Sequence, residues 1–180
     1  MSPYGASKLA IEGFCSAFAG SYGVACASLR FSNIYGPGSA HKKTVVAAFI
    51  KQAVLDKPLV VYGDGNQQRD YIFVGDLVRG IEAAIDRRAT GTVQLGSGRP
   101  TSLRELIAAL ERVVGRKLDV RFEPARRGEV RATWCDIAKA RRELDFAPEH
   151  ELVSGLAASW TWFAENRDVW TRFRELTSAE

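Results

Sequence analysis

The chain is 180 residues long, 46% hydrophobic, and carries a formal net charge of +4. That length buries one sizeable core with room for a small second lobe. Its basic residues are scattered rather than gathered into a run or stripe, which argues against a nucleic-acid partner. No apolar stretch approaches the ~18–20 residues that would cross a bilayer, and no signal peptide opens the sequence. Cys15, Cys26 and Cys135 are widely spaced, with no C-x-x-C pair. They read as reduced thiols of a cytoplasmic protein rather than a disulfide framework or a zinc site. His41 and His150 lie far apart without ligand spacing, so no metal is expected.

The first predicted helix runs from about Pro3 to Tyr22, with Ala10, Phe14, Ala17 and Phe18 on a buried face. Near its start Tyr4 and Lys8 stand four residues apart and therefore share a helix face. A free tyrosine has a pKa of about 10 and is a poor base at neutral pH. A neighbouring ammonium favours the phenolate and brings such a pair towards proton-transfer chemistry. Val24 to Phe31 reads as a strand buried on both sides, as in parallel sheets. Gly36-Pro37-Gly38 can continue neither strand nor helix, so the chain turns where open α/β sheets place their ligands.

Residues 43 to 56 read as a helix with Val46, Phe49, Ile50, Ala53 and Val54 on its apolar face. Leu59 to Tyr62 and Gln68 to Val74 are predicted as two strands of a hairpin around Gly63-Asp64-Gly65-Asn66. Asp76 is placed as the N-cap of a helix from Leu77 to Asp86. Gly91 to Gly98 is a strand and a glycine turn. Gly96-Ser97-Gly98 lacks the Gly-Lys-Ser/Thr ending of a phosphate loop. Ser102 and Glu105 form an S-x-x-E capping box, opening a helix striped with Leu103, Leu106, Ile107, Leu110 and Val114. A strand from Lys117 to Phe122 and a helix from Leu152 to Phe163 follow, and residues 166–180 read as a charged tail.

Tyr4-Gly5-Ala6-Ser7-Lys8-Leu9-Ala10 resembles the catalytic helix of the short-chain dehydrogenase/reductase superfamily, in its extended branch of nucleotide-sugar epimerases and dehydratases. Arg30-Phe31-Ser32-Asn33-Ile34-Tyr35-Gly36-Pro37 is similar to that branch's R-x-x-N-x-Y-G-P segment. Tyr62-Gly63-Asp64-Gly65 with Gln68-Arg69-Asp70, and Arg126-Arg127-Gly128-Glu129, follow two further segments in order. Asp136-Ile137-Ala138-Lys139-Ala140 resembles a segment whose Asp caps a helix. The resemblance covers residues 2 to about 165. It implies an α/β fold: the C-terminal part of a Rossmann-like parallel sheet plus a smaller mixed α/β substrate-binding lobe. Residues 1–40 would end the dinucleotide-binding domain, and 41–165 would form mainly the substrate lobe with returning elements. The Gly-rich half that normally precedes the catalytic helix is not in the sequence, so a truncated chain is expected.

The same resemblance implies an NAD-dependent UDP-sugar 4-epimerase working through a transient 4-keto sugar. Tyr4 and Lys8 would be catalytic and would touch the cofactor, with Ser32 beside the nicotinamide where the family often has an aromatic residue. Asn33, Arg69 and Arg126 would hold the substrate diphosphate, suited to charge-assisted contacts. Either Arg126 or Arg127 could be the inward-facing one. Val60 and Tyr62 would line the uracil pocket, and Glu129 would accept from the ribose hydroxyls. Thr133 takes a position that limits room for a 2-acetamido group, and Arg104 is expected on an exposed helix face. A homodimer is compatible with the family, with neither nucleic acid nor membrane as a partner. A nucleotide-sugar 4,6-dehydratase or decarboxylase would use the same Tyr4 and Lys8. A non-catalytic nucleotide-sugar-binding remnant is the remaining alternative.

Overall fold

The computed structural model describes residues 3–125, 128 and 130–177. A long helix, α1 (Pro3–Tyr22), leads into β1 (Ala27–Phe31) and, after Ser32, β2 (Asn33–Tyr35). A short 3-10 turn at Ser39–His41 precedes α2 (Val45–Val54), β3 (Leu59–Tyr62), β4 (Gln68–Phe73) and α3 (Val74–Asp86). Then come β5 (Gly91–Leu95), β6 (Pro100–Ser102), α4 (Leu103–Val114), β7 (Val120–Glu123) and β8 (Ala132–Thr133). The helices α5 (Ala138–Leu144), α6 (Leu152–Glu165) and α7 (Arg167–Thr177) complete the described chain. No helix among the described residues is long and apolar enough to cross a membrane.

The strands form an α/β arrangement dominated by parallel pairing. β1 lies parallel to β5, while β2 and β8 both lie parallel to β4, whose remaining partner β6 is antiparallel. Ser32 is the crossing point: its N–H still bonds Leu95 O at 3.0 Å, after which the chain leaves β5 for β4. Two buried clusters result. One packs Ile72, Val93, Leu95, Leu144 and Phe146 around β5, α3 and α5. The other packs Ile50, Leu59, Leu106, Leu110, Leu156 and Phe163 under α2, α4 and α6. The capping box forms as expected: Ser102 Oγ accepts the Glu105 N–H, and Glu105 accepts the Ser102 N–H at 2.7 Å. Asp136 takes the Ala138 N–H at the start of α5, at 2.9 Å.

Several expectations give way. The Gly63–Asn66 turn does not close a hairpin: β3 pairs in parallel with β7, and β4 finds its partners elsewhere. The turn is stabilised locally, because Asp64 accepts the Asn66 N–H at 2.9 Å and both glycines sit at φ 78°. A tight glycine turn thus redirects the chain between sheets. β1 is shorter than expected and only half-buried, with Arg30 and Phe31 exposed. Nor does α1 bury a face: it has no buried residue, and Phe14 is 66% exposed. Its apolar periodicity says which side chains could be covered, and no other described element covers them. A bidentate ion pair anchors it, with Arg30 Nε and Nη2 at 2.7 and 2.6 Å from Glu12.

Residue 76 is not an N-cap. The helix starts at Val74 with Phe73 as its cap, which carries Asp76 into the first turn and into the interior. The region read as a charged tail is helical from Arg167 to Thr177, because Trp170 has a place in the core. That side chain is buried and donates its indole N–H to Phe163 O at 2.9 Å.

Two glycines in helices separate packing from propensity. A Cβ on Gly155 would collide with the Tyr35 hydroxyl and stand 3.0 Å from Phe73 Cδ2, whereas at Gly13 nothing lies within 4 Å. Gly155→Ala should therefore destabilise by about 1–3 kcal/mol through overpacking. Gly13→Ala should stabilise by about 0.5–1 kcal/mol through helix propensity. Urea denaturation of the two variants checks the opposite signs.

Candidate functional site

Tyr4 and Lys8 occupy adjacent turns of α1, and the Lys8 ammonium lies 5.1 Å from the centroid of the Tyr4 ring. Tyr4 is 71% exposed, so its hydroxyl is open to a ligand. The Glu12–Arg30 pair ties the following turn of α1 to β1. At the end of β1, Ser32 Oγ is buried and has no hydrogen-bond partner among the described residues. An orphaned hydroxyl at the C-terminal end of a parallel strand suits a bound polar group, so the residues present fit the nicotinamide side of a dinucleotide there.

The substrate-side expectations meet on β4. Asn33 is in register with Tyr71, and Arg69 with both Thr101 and Thr133. Side chains alternate along a strand, so Arg69 and Tyr71 share a face with their paired neighbours. Asn33, Arg69 and Thr133 are thereby brought to one face of one sheet. Asn33 Nδ2 donates to Asp70 O at 3.0 Å, and Arg69 Nη1 to Gln68 O at 2.8 Å, so both side chains are braced against the β4 backbone. Val60 and Tyr62 lie half-buried on β3, a different sheet. Gln67 bridges the gap by donating to Tyr62 O at 2.7 Å. Arg126, Arg127 and Glu129 lie outside the described residues.

Three supporting groups escape the sequence reading. Asp70 is 1% exposed and accepts the Ser97 N–H and Oγ, both at 2.8 Å, on one oxygen. Its other oxygen accepts the N–H groups of Gly98 at 3.0 Å and Cys135 at 3.2 Å. The glycine turn that superficially resembles a phosphate loop is thus filled by the protein's own carboxylate. Burial, together with the charge of Asp70, pushes the Cys135 thiol up to about 11, which leaves it unreactive at neutral pH.

Thr44 caps α2 without a side-chain bond, and its buried Oγ1 lacks a partner among the described residues. A bare helix N-terminus with a spare hydroxyl suits an anion; a threonine just before an apolar helical run is the sequence signal for it. Arg104 is more than an exposed helix residue. Its Nε donates to Asp64 O at 2.7 Å and its guanidinium lies 5.1 Å from the Phe122 ring centroid, pinning the 63–66 turn.

A family model described as the NAD dependent epimerase/dehydratase family matches residues 1–96. UDP-glucuronate 4-epimerase of Thermodesulfobacterium geofontis is 32% identical over 94% of this chain and 52% of its own length. dTDP-glucose 4,6-dehydratase of Streptomyces griseus is 35% identical over 94% of this chain and 52% of its own. The crystal structure of UDP-glucuronic acid 4-epimerase from Bacillus cereus, in complex with UDP-glucuronic acid and NAD, superposes with a TM-score of 0.82. It is 31% identical, and the match covers 91% of this chain and 53% of that one. The chain spans about half the length of the relatives it matches.

Behind the sheet, Asp76 is buried and accepts from Arg79 Nη2 at 2.7 Å, from His150 Nδ1 at 2.9 Å and from the His150 N–H at 3.0 Å. Burial works against its charge, but the bonds from the His150 ring and from the backbone of His150 and Glu149 prevail and hold the carboxyl below its ordinary range. A depressed folded pKa means stability that is present above the unfolded value of about 3.9 and is lost as pH falls through the folded value. Asp76→Asn should cost about 1.5–3 kcal/mol at neutral pH, as expected for bonds to a charged group. The gap between wild type and variant should narrow below about pH 4. Thermal melts across that range test it; a constant gap would mean that the charge of Asp76 is not what stabilises.

Proposed function

Because the chain belongs to the NAD-dependent epimerase/dehydratase family, we propose that it carries the proton-transfer helix and the nucleotide-sugar lobe of a UDP-sugar 4-epimerase. The single observation that carries this reading is the gathering of Asn33, Arg69 and Thr133 on one face of the sheet that the Ser32 crossing joins to α1 and β1. In this reading Asn33 and Arg69 hold the diphosphate, with Arg126 as a second guanidinium. Val60 and Tyr62 flank the uracil, and Glu129 accepts from the ribose hydroxyls. Tyr4, as the phenolate, takes the proton of the sugar 4-hydroxyl and later returns it. Lys8 places its charge beside the Tyr4 ring and holds the nicotinamide ribose. A bound NAD would supply the hydride transfer to and from the sugar, and these residues would position the sugar and move its proton. Ser32 offers its buried hydroxyl on the cofactor side. Free Cys15, Cys26 and Cys135 suit a reducing, cytoplasmic setting. A homodimer belongs to the same reading, and the exposed apolar side chains of α1 offer it a surface.

The likeness to a dTDP-glucose 4,6-dehydratase favours a second reading with the same pair and the same lobe. Product analysis separates the two, because a dehydratase releases a 4-keto-6-deoxy sugar and an epimerase an inverted one.

Binding is tested on the 180-residue chain. Arg69→Ala should weaken UDP-glucuronate or UDP-glucose about ten- to hundredfold, the scale of one charge-assisted contact. Arg87→Ala, an exposed arginine at 3.9 Å from Asp145, should not weaken it. Calorimetric titration decides; equal effects of the two variants would remove Arg69 from the site. In an enzyme that turns over, Tyr4→Phe should lower kcat by about 10²–10⁴-fold, the usual worth of a positioned proton acceptor. UDP-sugar affinity should stay unchanged, and steady-state kinetics read the split.

A further inference from the structure

On the other side of β4 from β2, a cleft of about 440 Å³ opens between α4, the segment 97–101 and the N-terminus of α6. None of the residues assigned above to the cofactor or to the UDP-sugar lines it. Its volume falls within the ~300–1,000 Å³ range of small-molecule sites. Arg99, Arg112 and Arg141, from three separate segments, line its walls. Glu105 and Glu151 also reach it; Glu105 is held in the capping box, and Glu151 is exposed with Arg99 as its nearest cation among the described residues. Glu105 accepts from the Ser102 hydroxyl at 2.8 Å as well as from its N–H, and Glu151 lies 4.0 Å from Arg99. Among the described residues Arg112 and Arg141 have no acidic partner.

Three further features point to an anion. Leu152 and Val153, at the start of α6, line the cleft, and the N-cap of that helix, Glu151, makes no side-chain capping bond. The first-turn N–H groups are therefore donors of the kind that receive phosphate. His150, also in the lining, is held through Nδ1 by Asp76 at 2.9 Å and stacks on Phe73 with centroids 4.4 Å apart. A carboxylate only accepts, so Nδ1 is the donor and Nε2 is left uncommitted. At the floor, Tyr71 is 5% exposed, and its buried hydroxyl has no partner among the described residues. Phenylalanine would fill that space without leaving a buried donor unsatisfied, so the hydroxyl is an unexplained cost unless something comes to meet it.

We propose that this cleft is a second ligand site, taking a small organic phosphate. Its phosphoryl group sits at the N-terminus of α6 between Arg112 and Arg141, and its hydroxyl-bearing body reaches the Tyr71 hydroxyl. Inorganic phosphate would satisfy the charges but not the floor, so the site should prefer the organic ester. The inference does not depend on the epimerase reading, since it shares no residue with it.

The test uses the 180-residue chain with glucose 1-phosphate as probe, inorganic phosphate as comparison and sodium chloride to match ionic strength. Glucose 1-phosphate should raise Tm saturably, and at lower concentration than inorganic phosphate. The double variant Arg112→Ala/Arg141→Ala, on exposed positions, should lose at least about tenfold in apparent affinity. Tyr71→Phe should raise the Tm of the free protein yet weaken glucose 1-phosphate several-fold, a combination that a purely structural tyrosine would not give. Arg69→Ala should leave glucose 1-phosphate binding intact while weakening UDP-sugars, so the two sites fail separately. No saturable shift, a shift that survives the double arginine variant, or equal response to inorganic phosphate would overturn the proposal.

Discussion

The buried carboxylate of Asp70 is the constraint on which the candidate site depends. Four donors converge on it: the N–H and hydroxyl of Ser97, and the N–H groups of Gly98 and Cys135. A buried acid is tolerated only when its acceptor positions are filled, and here they are filled almost wholly by backbone. The consequence is geometric. β4 is tied at one residue both to the turn after β5 and to the chain leaving β8, which fixes the register that sets Arg69 opposite Thr101 and Thr133. Gly96 is part of the same device: a Cβ there would stand 2.6 Å from Asp70 Oδ2 and 2.9 Å from Cys135 Cβ. Only glycine lets the turn close this tightly around the acid.

That anchor sits at a seam. Tyr71, next along the strand, packs into the cluster under α2, α4 and α6, whereas Ile72 packs into the cluster around β5. Two cores therefore meet across one strand, and the chain itself changes sheets at Ser32, a short way from it in space through the Asn33–Asp70 bond. A change of strand partner at the carboxyl end of a parallel strand is where α/β proteins open a crevice. The orphaned Ser32 hydroxyl, the braced Asn33 and the paired Arg69 are distributed around that point. The topology of this crossing, with the Asn33–Asp70 bond across it, holds these motif residues in place.

What the sequence disclosed and what it hid follow one physical division. Signals that are local were legible: the Tyr4–Lys8 spacing, the Ser102–Glu105 capping box, the apolar stripes of α2 and α4, and the turn after Tyr35. Non-local pairing was not. Gly63–Asn66 is a sound turn, but the partner of β3 is β7, on the far side of α3 and α4 in sequence, and no short-range rule selects it. The α1 stripe shows why periodicity is insufficient for burial, since a helix face can be apolar and still find no cover within the described chain. Asp70 and Asp76 were invisible as centres for a related reason. Apart from the local Arg79 contact to Asp76, their partners are backbone N–H groups, the Ser97 hydroxyl and a histidine 74 positions away, contacts that exist only once the sheets have formed. Arg126 and Glu129 lie outside the described residues.

Burial also decides which tyrosine could serve as a base. Tyr35 and Tyr71 both have their phenol pKa raised by burial, Tyr71 to about 12 and Tyr35 higher still, with the nearby Asp76 adding to the effect on Tyr35. Desolvation penalises the phenolate, so these two cannot hold the charge that proton abstraction from a sugar hydroxyl requires near neutral pH. Tyr35 is used structurally instead, its hydroxyl 3.5 Å from Leu152 O and its ring edge-on to Phe73. A tyrosine that accepts protons has to combine access with a neighbouring cation. On this chain Tyr4 has both, at 71% exposure and with Lys8 against its ring. α1 runs against the expectation of a buried face, and Tyr4 and Lys8 lie on its exposed surface.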